Sequence, residues 1–305
     1  MPFDKRTLVI PDDTKFEERT ILTTGDVVVG NHAKLEFGLK TSGRAFVGEN
    51  AAIGGSVHAE RDVRIDMFSQ VDGDVVSGKD VFLGERVRVG GKLSLVGDLD
   101  VGDDVAIAEG FEAKGWINIR HPIPMVIYVF LYLLEMLRLG RSEEVERILT
   151  ELDASKEQEF VVSDVYLYVP DGSTLGLTQS DVKGNLRIGK GCRVLGNFAV
   201  KGNVTIADAT IVVGAIRATG GISLGAHSEV QGECEAGQVG SVGEGSKIMG
   251  NLRAKTVELH HSAIIEGTLT APGGVRFVTK MQKEMEEKVA RFKAGQHEDI
   301  RDLLH

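Results

Sequence analysis

The chain has 305 residues, with 38 glycines, 6 prolines and about 6% aromatic side chains, which speaks against a compact core of large aromatic residues. Its net charge of −10 excludes the dense basic surface that nucleic acids require, because their affinity rests on neutralised phosphates. The two cysteines, Cys192 and Cys234, imply no disulfide framework, and the N-terminus lacks the apolar stretch of a signal peptide, so a cytoplasmic location is expected.

A repeat of eighteen residues occupies the first part of the chain. Its units share an aliphatic residue, a glycine and then a small residue: VGNHAKL (from Val29), VGENAAI (Val47), the degenerate IDMFSQV (Ile65), LGERVRV (Leu83) and VGDDVAI (Val101). Within each unit, aliphatic or small residues are separated alternately by two and four positions. A gap of two keeps both side chains on one face of a strand, and a gap of four carries the chain round a corner. Three such strands and corners predict one coil of a three-sided parallel β-helix.

A helical insertion is predicted where the repeat stops, near Trp116. Met125 to Leu134 is an unbroken apolar run, shorter than the about 20 residues that span a bilayer. Three interpretations of this first helix stay open: a brace along the β-helix, a dimer contact with a second copy, or a segment dipping into a membrane interface. As a docking surface for a partner protein, its candidate contact residues are Ile127, Phe130, Leu133, Leu134 and Leu137.

The repeat resumes near Val182 and ends near Phe277. A second motif runs in phase through this part, as VLGNFAV, VVGAIRA, VQGECEA, IMGNLRA and IEGTLTA, with its glycines at 196, 214, 232, 250 and 267. Thr279 then begins a predicted helix with a narrow apolar stripe that includes Met281, Met285 and Phe292. That helix is either a cap over the last coil or a docking helix.

These elements predict an all-β solenoid in four parts. The parts are an N-terminal β-helix block (1–118), a helical insertion (119–158), a C-terminal β-helix block (159–278) and a C-terminal helix (279–305). Each coil has about 18 residues.

The repeats resemble two known groups of β-helix proteins. VGENAAI and LGAHSEV resemble the hexapeptide repeat of left-handed β-helix acyltransferases. IMGNLRAKTVELHHSAIIEGTLTA and VDGDVVSGKDVFLGERVRVGGKLSL resemble bactofilins more closely, and large residues such as Leu93 and Phe198 in the second and third walls favour that comparison. The bactofilin resemblance implies a polymer-forming cytoskeletal protein. The acyltransferase resemblance implies an enzyme acting at a subunit interface.

The sequence contains no residue that we predict to be catalytic or to bind a cofactor or a metal, and no cofactor is predicted. His32 and His227 take equivalent, outward places in their repeats, and an acyltransferase would need such a histidine as general base. Acidic residues including Asp74 and Asp98 are interpreted as a solvated face. The leading hypothesis is therefore a non-catalytic scaffold of bactofilin type that assembles through its β-helix ends, its apolar helical insertion, or both. Its partner is itself, as a homo-oligomer or filament, with nucleic acid excluded and membrane contact at most peripheral.

Overall fold

The chain consists of short parallel strands in the regions that the computed structural model describes, residues 6–119 and 165–278. Residue contacts divide the chain into two units, Met1–Leu177 and Thr178–His305. In each unit the strands form three sheets, here named A, B and C, which confirms the predicted three-sided β-helix. These regions contain no helix, and the two predicted helical parts lie outside the described residues.

The first unit is built from the strands β1 (Leu8–Ile10), β2 (Lys15–Glu17), β3 (Thr20–Thr23), β4 (Asp26–Val29), β5 (Lys34–Leu35), β6 (Gly38–Thr41), β7 (Ala45–Val47), β8 (Ala52–Ile53), β9 (Val57–Ala59), β10 (Val63–Ile65), β11 (Gln70–Val71), β12 (Val75–Ser77), β13 (Val81–Leu83), β14 (Arg88–Val89), β15 (Leu93–Leu95), β16 (Leu99–Val101), β17 (Ala106–Ile107), β18 (Phe111–Ala113), β19 (Ile117–Ile119), β20 (Tyr166–Val169) and β21 (Thr174–Leu175).

Successive coils of the first unit add one strand to each sheet. Sheet A has the order β19-β16-β13-β10-β7-β4-β20-β1, sheet B β18-β15-β12-β9-β6-β3-β2, and sheet C β17-β14-β11-β8-β5-β21. Residues 165–177 return to this unit, because β20 pairs in parallel with β4 and β21 with β5. The first two strands run the other way: β1 is antiparallel to β20, and β2 to β3. The four-part division of the chain stays a prediction.

The second unit contains β22 (Gln179–Val182), β23 (Leu186–Ile188), β24 (Arg193–Leu195), β25 (Asn197–Val200), β26 (Val204–Ile206), β27 (Ile211–Val213), β28 (Ile216–Ala218), β29 (Ile222–Leu224), β30 (Glu229–Val230), β31 (Cys234–Ala236), β32 (Val239–Val242), β33 (Lys247–Ile248), β34 (Leu252–Arg253), β35 (Thr256–His260), β36 (Ile264–Ile265), β37 (Leu269–Thr270) and β38 (Val275–Val278). Its sheets run β23-β26-β29-β32-β35-β38 (A), β24-β27-β30-β33-β36 (B) and β22-β25-β28-β31-β34-β37 (C).

The eighteen-residue period is the strand register itself. Val63 pairs with Val81, and Ile216 pairs with Cys234. The seventeen-residue step between Gly250 and Gly267 is also present in the register, because Leu252 pairs with Leu269, seventeen positions on. Residues two apart on a strand both point inward, so the core is a stack of Val, Ile, Leu and Ala layers, as the composition indicates.

Several acidic and amide side chains hold neighbouring coils together. Asp74 accepts a hydrogen bond from the backbone N–H of Lys92 (2.8 Å), and Asp98 accepts one from that of Trp116 (2.8 Å). In the second unit Asn203 does the same for Gly221 (2.8 Å). Asp98 is exposed and Asp74 is half-buried, which agrees with the predicted solvated face, and each also satisfies a backbone donor at a corner one coil further on.

In most coils one corner uses the left-handed backbone conformation. The corner between sheets A and C of the first unit places His32, Asn50, Phe68, Arg86 and Asp104 there, with φ between 54° and 60°. The N–H groups of the first four donate to a carbonyl of the following coil, as Phe68 does to Glu85 (2.9 Å). This conformation is unfavourable for a residue with a Cβ by about 1–2 kcal/mol. The backbone hydrogen bonds between coils offset that cost.

This corner supports a matched pair of stability measurements in the second unit. Gly191 (φ 64°) and Ala209 (φ 55°) occupy equivalent positions eighteen residues apart. We expect Ala209→Gly to raise the free energy of unfolding by up to about 1 kcal/mol, and Gly191→Ala to lower it by about the same amount. Guanidinium denaturation midpoints measure both changes, and shifts of the same sign in the two variants would contradict the argument.

Candidate assembly surfaces

The last described coil of the first unit exposes its core cross-section. Strands β17, β18 and β19 each pair on one side only among the described residues. Phe111, Ile117 and Ile119 occupy inward positions of this coil, yet they are 51%, 47% and 70% exposed. Their partners one coil earlier are covered: Leu93, in register with Phe111, is 0% exposed. The exposure therefore arises because no described strand stacks on this coil.

The second unit has an end of the same kind. Strands β36, β37 and β38 are the outermost described strands of their sheets. Val275 and Phe277 point inward and are 39% and 65% exposed, whereas Val257, the register partner of Val275, is 1% exposed. Among the described residues, each unit thus ends in a coil that presents an apolar cross-section and a strand edge on which no described strand pairs.

Charged pairs stand at the rim of both end coils. Lys92 Nζ lies 2.9 Å from Glu112 Oε2, and Lys247 Nζ lies 2.7 Å from Glu266 Oε1. The hydrogen bond to Glu112 raises the pKa of Lys92 and lowers that of Glu112, and the bond to Glu266 raises the pKa of Lys247. These side chains are solvated, so they contribute little to stability. Each pair places charged groups at the edge of an apolar centre, and an apolar centre with a polar rim is the usual anatomy of a protein interface.

The interaction residues predicted from the sequence all lie outside the described residues; they are Ile127, Phe130, Leu133, Leu134, Leu137, Met281, Met285 and Phe292. They stay predictions. The hypothesis of assembly through terminal coils named no residues at the ends, and so it missed Phe111, Ile119 and Phe277. The available signal was their position, because each belongs to the last coil in register before the repeat stops.

The histidines of the described regions lie on the outside of the coils. His32 and His227 are exposed and lie at corners with positive φ, as predicted for their outward places. His260 and His261 stack with ring centroids 4.3 Å apart, and His260 Nδ1 is 2.8 Å from Ser262 Oγ. In the part of the chain that the structure describes, no three His, Cys, Asp or Glu side chains are grouped as a metal site would require.

The cysteines are core residues. Cys192 and Cys234 are each 1% exposed, and burial raises the pKa of Cys234 to about 12. Because the thiolate is the reactive form, we expect neither thiol to react with Ellman's reagent at about pH 8 in the folded protein, and both to react after unfolding in guanidinium. A thiol that is titrated at once in native buffer would contradict this placement.

Comparison with known proteins bears on the second unit. Residues 186–275 match the family model for bactofilins, which is described as polymer-forming cytoskeletal. The chain carries a bactofilin-like β-helix. The matched span begins at β23 and reaches the first residue of β38, so the bactofilin-like coils include most of the exposed end described above. No curated protein and no solved structure matches the chain. Within residues 6–119 and 165–278, no helix has the length and hydropathy of a membrane span.

Proposed function

We propose that this protein is a non-catalytic, self-associating structural scaffold of bactofilin type, in which copies join through the open end coils. The observation that carries the proposal is the exposure of inward-facing residues in those coils, 51% for Phe111 and 65% for Phe277. In the inner coils, residues at the same inward positions are buried. Leu93, the register partner of Phe111, is 0% exposed. The bactofilin-like coils support the proposal because that family is polymer-forming.

Stacking of one end coil on another satisfies two needs at once. The edge strands gain partners for backbone N–H and C=O groups, which is the general route by which exposed edges recruit a second chain. The apolar cross-section leaves water, and each fully covered Phe or Ile contributes about 1.5–3 kcal/mol. Neither step consumes a nucleotide, so the proposed assembly depends on protein concentration and salt alone.

The other features of the proposal follow from the sequence. A cytoplasmic location with at most peripheral membrane contact fits the absence of a disulfide framework and the acidic composition. In a second version of the scaffold, a partner protein docks on the helical insertion. Its contact residues there are Ile127, Phe130, Leu133, Leu134 and Leu137. The acyltransferase alternative would place His32 or His227 in a groove between subunits, acting as general base.

Negative-stain microscopy and light scattering of the purified protein, over a range of concentration and salt, test the proposal. We expect filaments or rods whose length grows with concentration. A monomer at every concentration would overturn self-association. A closed trimer would favour the acyltransferase alternative, and acetyl-transfer assays of His32→Ala and His227→Ala would then follow.

A further inference from the structure

The outer face of sheet A in the first unit carries an unusual row of side chains. Outward positions in register across six neighbouring strands are Val9, Tyr168, Val28, Phe46, Arg64 and Phe82. Five of these six are apolar or aromatic. The outward rows of the other walls are mostly polar: Lys34, Ala52, Gln70, Arg88 and Ala106 on sheet C, and Lys40, His58, Val76, Ser94 and Glu112 on sheet B.

Side chains on this row are packed rather than solvated. Leu167 and Val169 point into the core, so Tyr168 between them points outward, yet only 5% of it is exposed. Phe46 and Phe82 are half-buried, and the Arg64 guanidinium lies 4.6 Å from the centre of the Phe82 ring. An outward tyrosine with so little exposure is in contact with other groups on the outside of the wall.

The chain leaves and re-enters the first unit in this same sheet. It leaves the first unit at Ile119, in the outermost strand of sheet A, and re-enters the same sheet at Tyr166, beside β4. Six strand spacings separate β19 from β20, which is about 29 Å. Strand β19 runs parallel to β16 and β20 runs parallel to β4, so a connection between them has to return along the outside of the coils, whose interior is filled.

The connection contains the residues that suit an apolar surface. Met125 to Leu134 is continuously apolar or aromatic, and it includes Tyr128, Phe130 and Tyr132. About twenty helical residues would cover the distance between the two strands. Aromatic rings also suit a face that carries phenylalanines and an arginine.

We propose that the outer face of sheet A in the first unit, at Val28, Phe46, Phe82 and Tyr168, is the docking surface for the apolar segment 125–134 of the same chain. This assigns the segment an intramolecular role as a brace along the wall. It leaves the cross-section at Phe111 and Ile119 available for a second copy. The proposal does not depend on the assembly function, since the connection has to follow a wall of the unit in either case.

Site-specific photo-crosslinking in the full-length chain tests the proposal directly. A benzoylphenylalanine replaces Phe46 or Phe82 in turn, and the control carries it at Val76, the outward position on sheet B. The protein is an equal mixture of ¹⁴N- and ¹⁵N-labelled copies. We expect peptides from 125–139 to be joined to positions 46 and 82 within one isotopic form, and not to position 76.

Limited proteolysis gives a second measurement. We expect trypsin to cut after Arg138 and Arg141 about tenfold faster in Phe46→Asp/Phe82→Asp than in the wild type, with Val76→Asp unchanged. Crosslinks of mixed isotopic form would show that a second copy occupies the face and would overturn the intramolecular proposal. Crosslinks confined to other segments, or equal cleavage in all three proteins, would overturn the docking surface itself. The crosslinking result stands even if the double Asp variant fails to fold.

Discussion

Replacing Phe111 and Phe277 by Asp is expected to raise the protein concentration needed for assembly by at least about 100-fold. Both side chains occupy core columns in the end coils and are 51% and 65% exposed. A stacked partner coil would bury each of them, and an isolated carboxylate in the same place would lose its hydration without gaining a partner. Sedimentation of assembled protein against total concentration measures the change, and the single variants show which end carries more of the contact.

Two wall residues provide matched controls. Val96 and Met249 are 53% and 40% exposed, but they lie on corners of inner coils and not on an end. Val96→Asp and Met249→Asp add the same charges and remove comparable apolar side chains, so we expect assembly like that of the wild type. Equal loss of assembly in the control variants would point to the walls, or to net charge, as the cause. Circular dichroism of every variant establishes that its strands are intact.

Gly232→Ala is expected to lower the free energy of unfolding by about 1–3 kcal/mol, the usual cost of inserting a methyl group into closely packed structure. A Cβ at this position would lie 2.4 Å from the carbonyl oxygen of Gly214 in the preceding coil. Because this oxygen belongs to the backbone, the clash is relieved only if the two coils separate locally. Gly250 and Gly267 meet the same obstacle, at 2.6 and 2.5 Å from the preceding glycine oxygen. Guanidinium denaturation followed by circular dichroism measures the effect.

Gly240 is the matched control in the same unit. It faces the core between Ile222 and Val257, and an added Cβ would meet only side chains, the nearest being Ala254 Cβ at 3.3 Å. We expect Gly240→Ala to change the free energy of unfolding by less than about 1 kcal/mol. Replacing a strand glycine by alanine is stabilising, and this gain is about equal to the cost of the small shift that Ala254 has to make. If Gly232→Ala changes the free energy of unfolding as little as Gly240→Ala does, the aligned glycines Gly232, Gly250 and Gly267 are not required for coil stacking.

The end coils show how far local pattern carries a structural prediction. The repeat places Phe111 and Phe277 in inward positions of their coils, as Leu93 and Val257 are in theirs. Whether an inward residue is covered depends on the coil above it, and the signal for this in the sequence is the point at which the repeat stops. The kind of assembly surface was therefore predicted, whereas naming its residues required identifying the last coil in register.

The residue pattern alone predicts the three-sided β-helix, its eighteen-residue coil and the seventeen-residue step near the end of the second unit. Those features follow from the alternation of inward residues two and four positions apart, which is a local property of short strands and corners. That residues 165–177 join the first unit is, in contrast, visible only in the folded chain. There Asp171 Oδ1 accepts the backbone N–H of Asn31 at 2.9 Å, across 140 positions of sequence. The tertiary structure also showed that Asp74 and Asp98 bind the next coil. The sequence of a strand of three or four residues does not specify which distant strand it will pair with, because every backbone offers the same donors and acceptors.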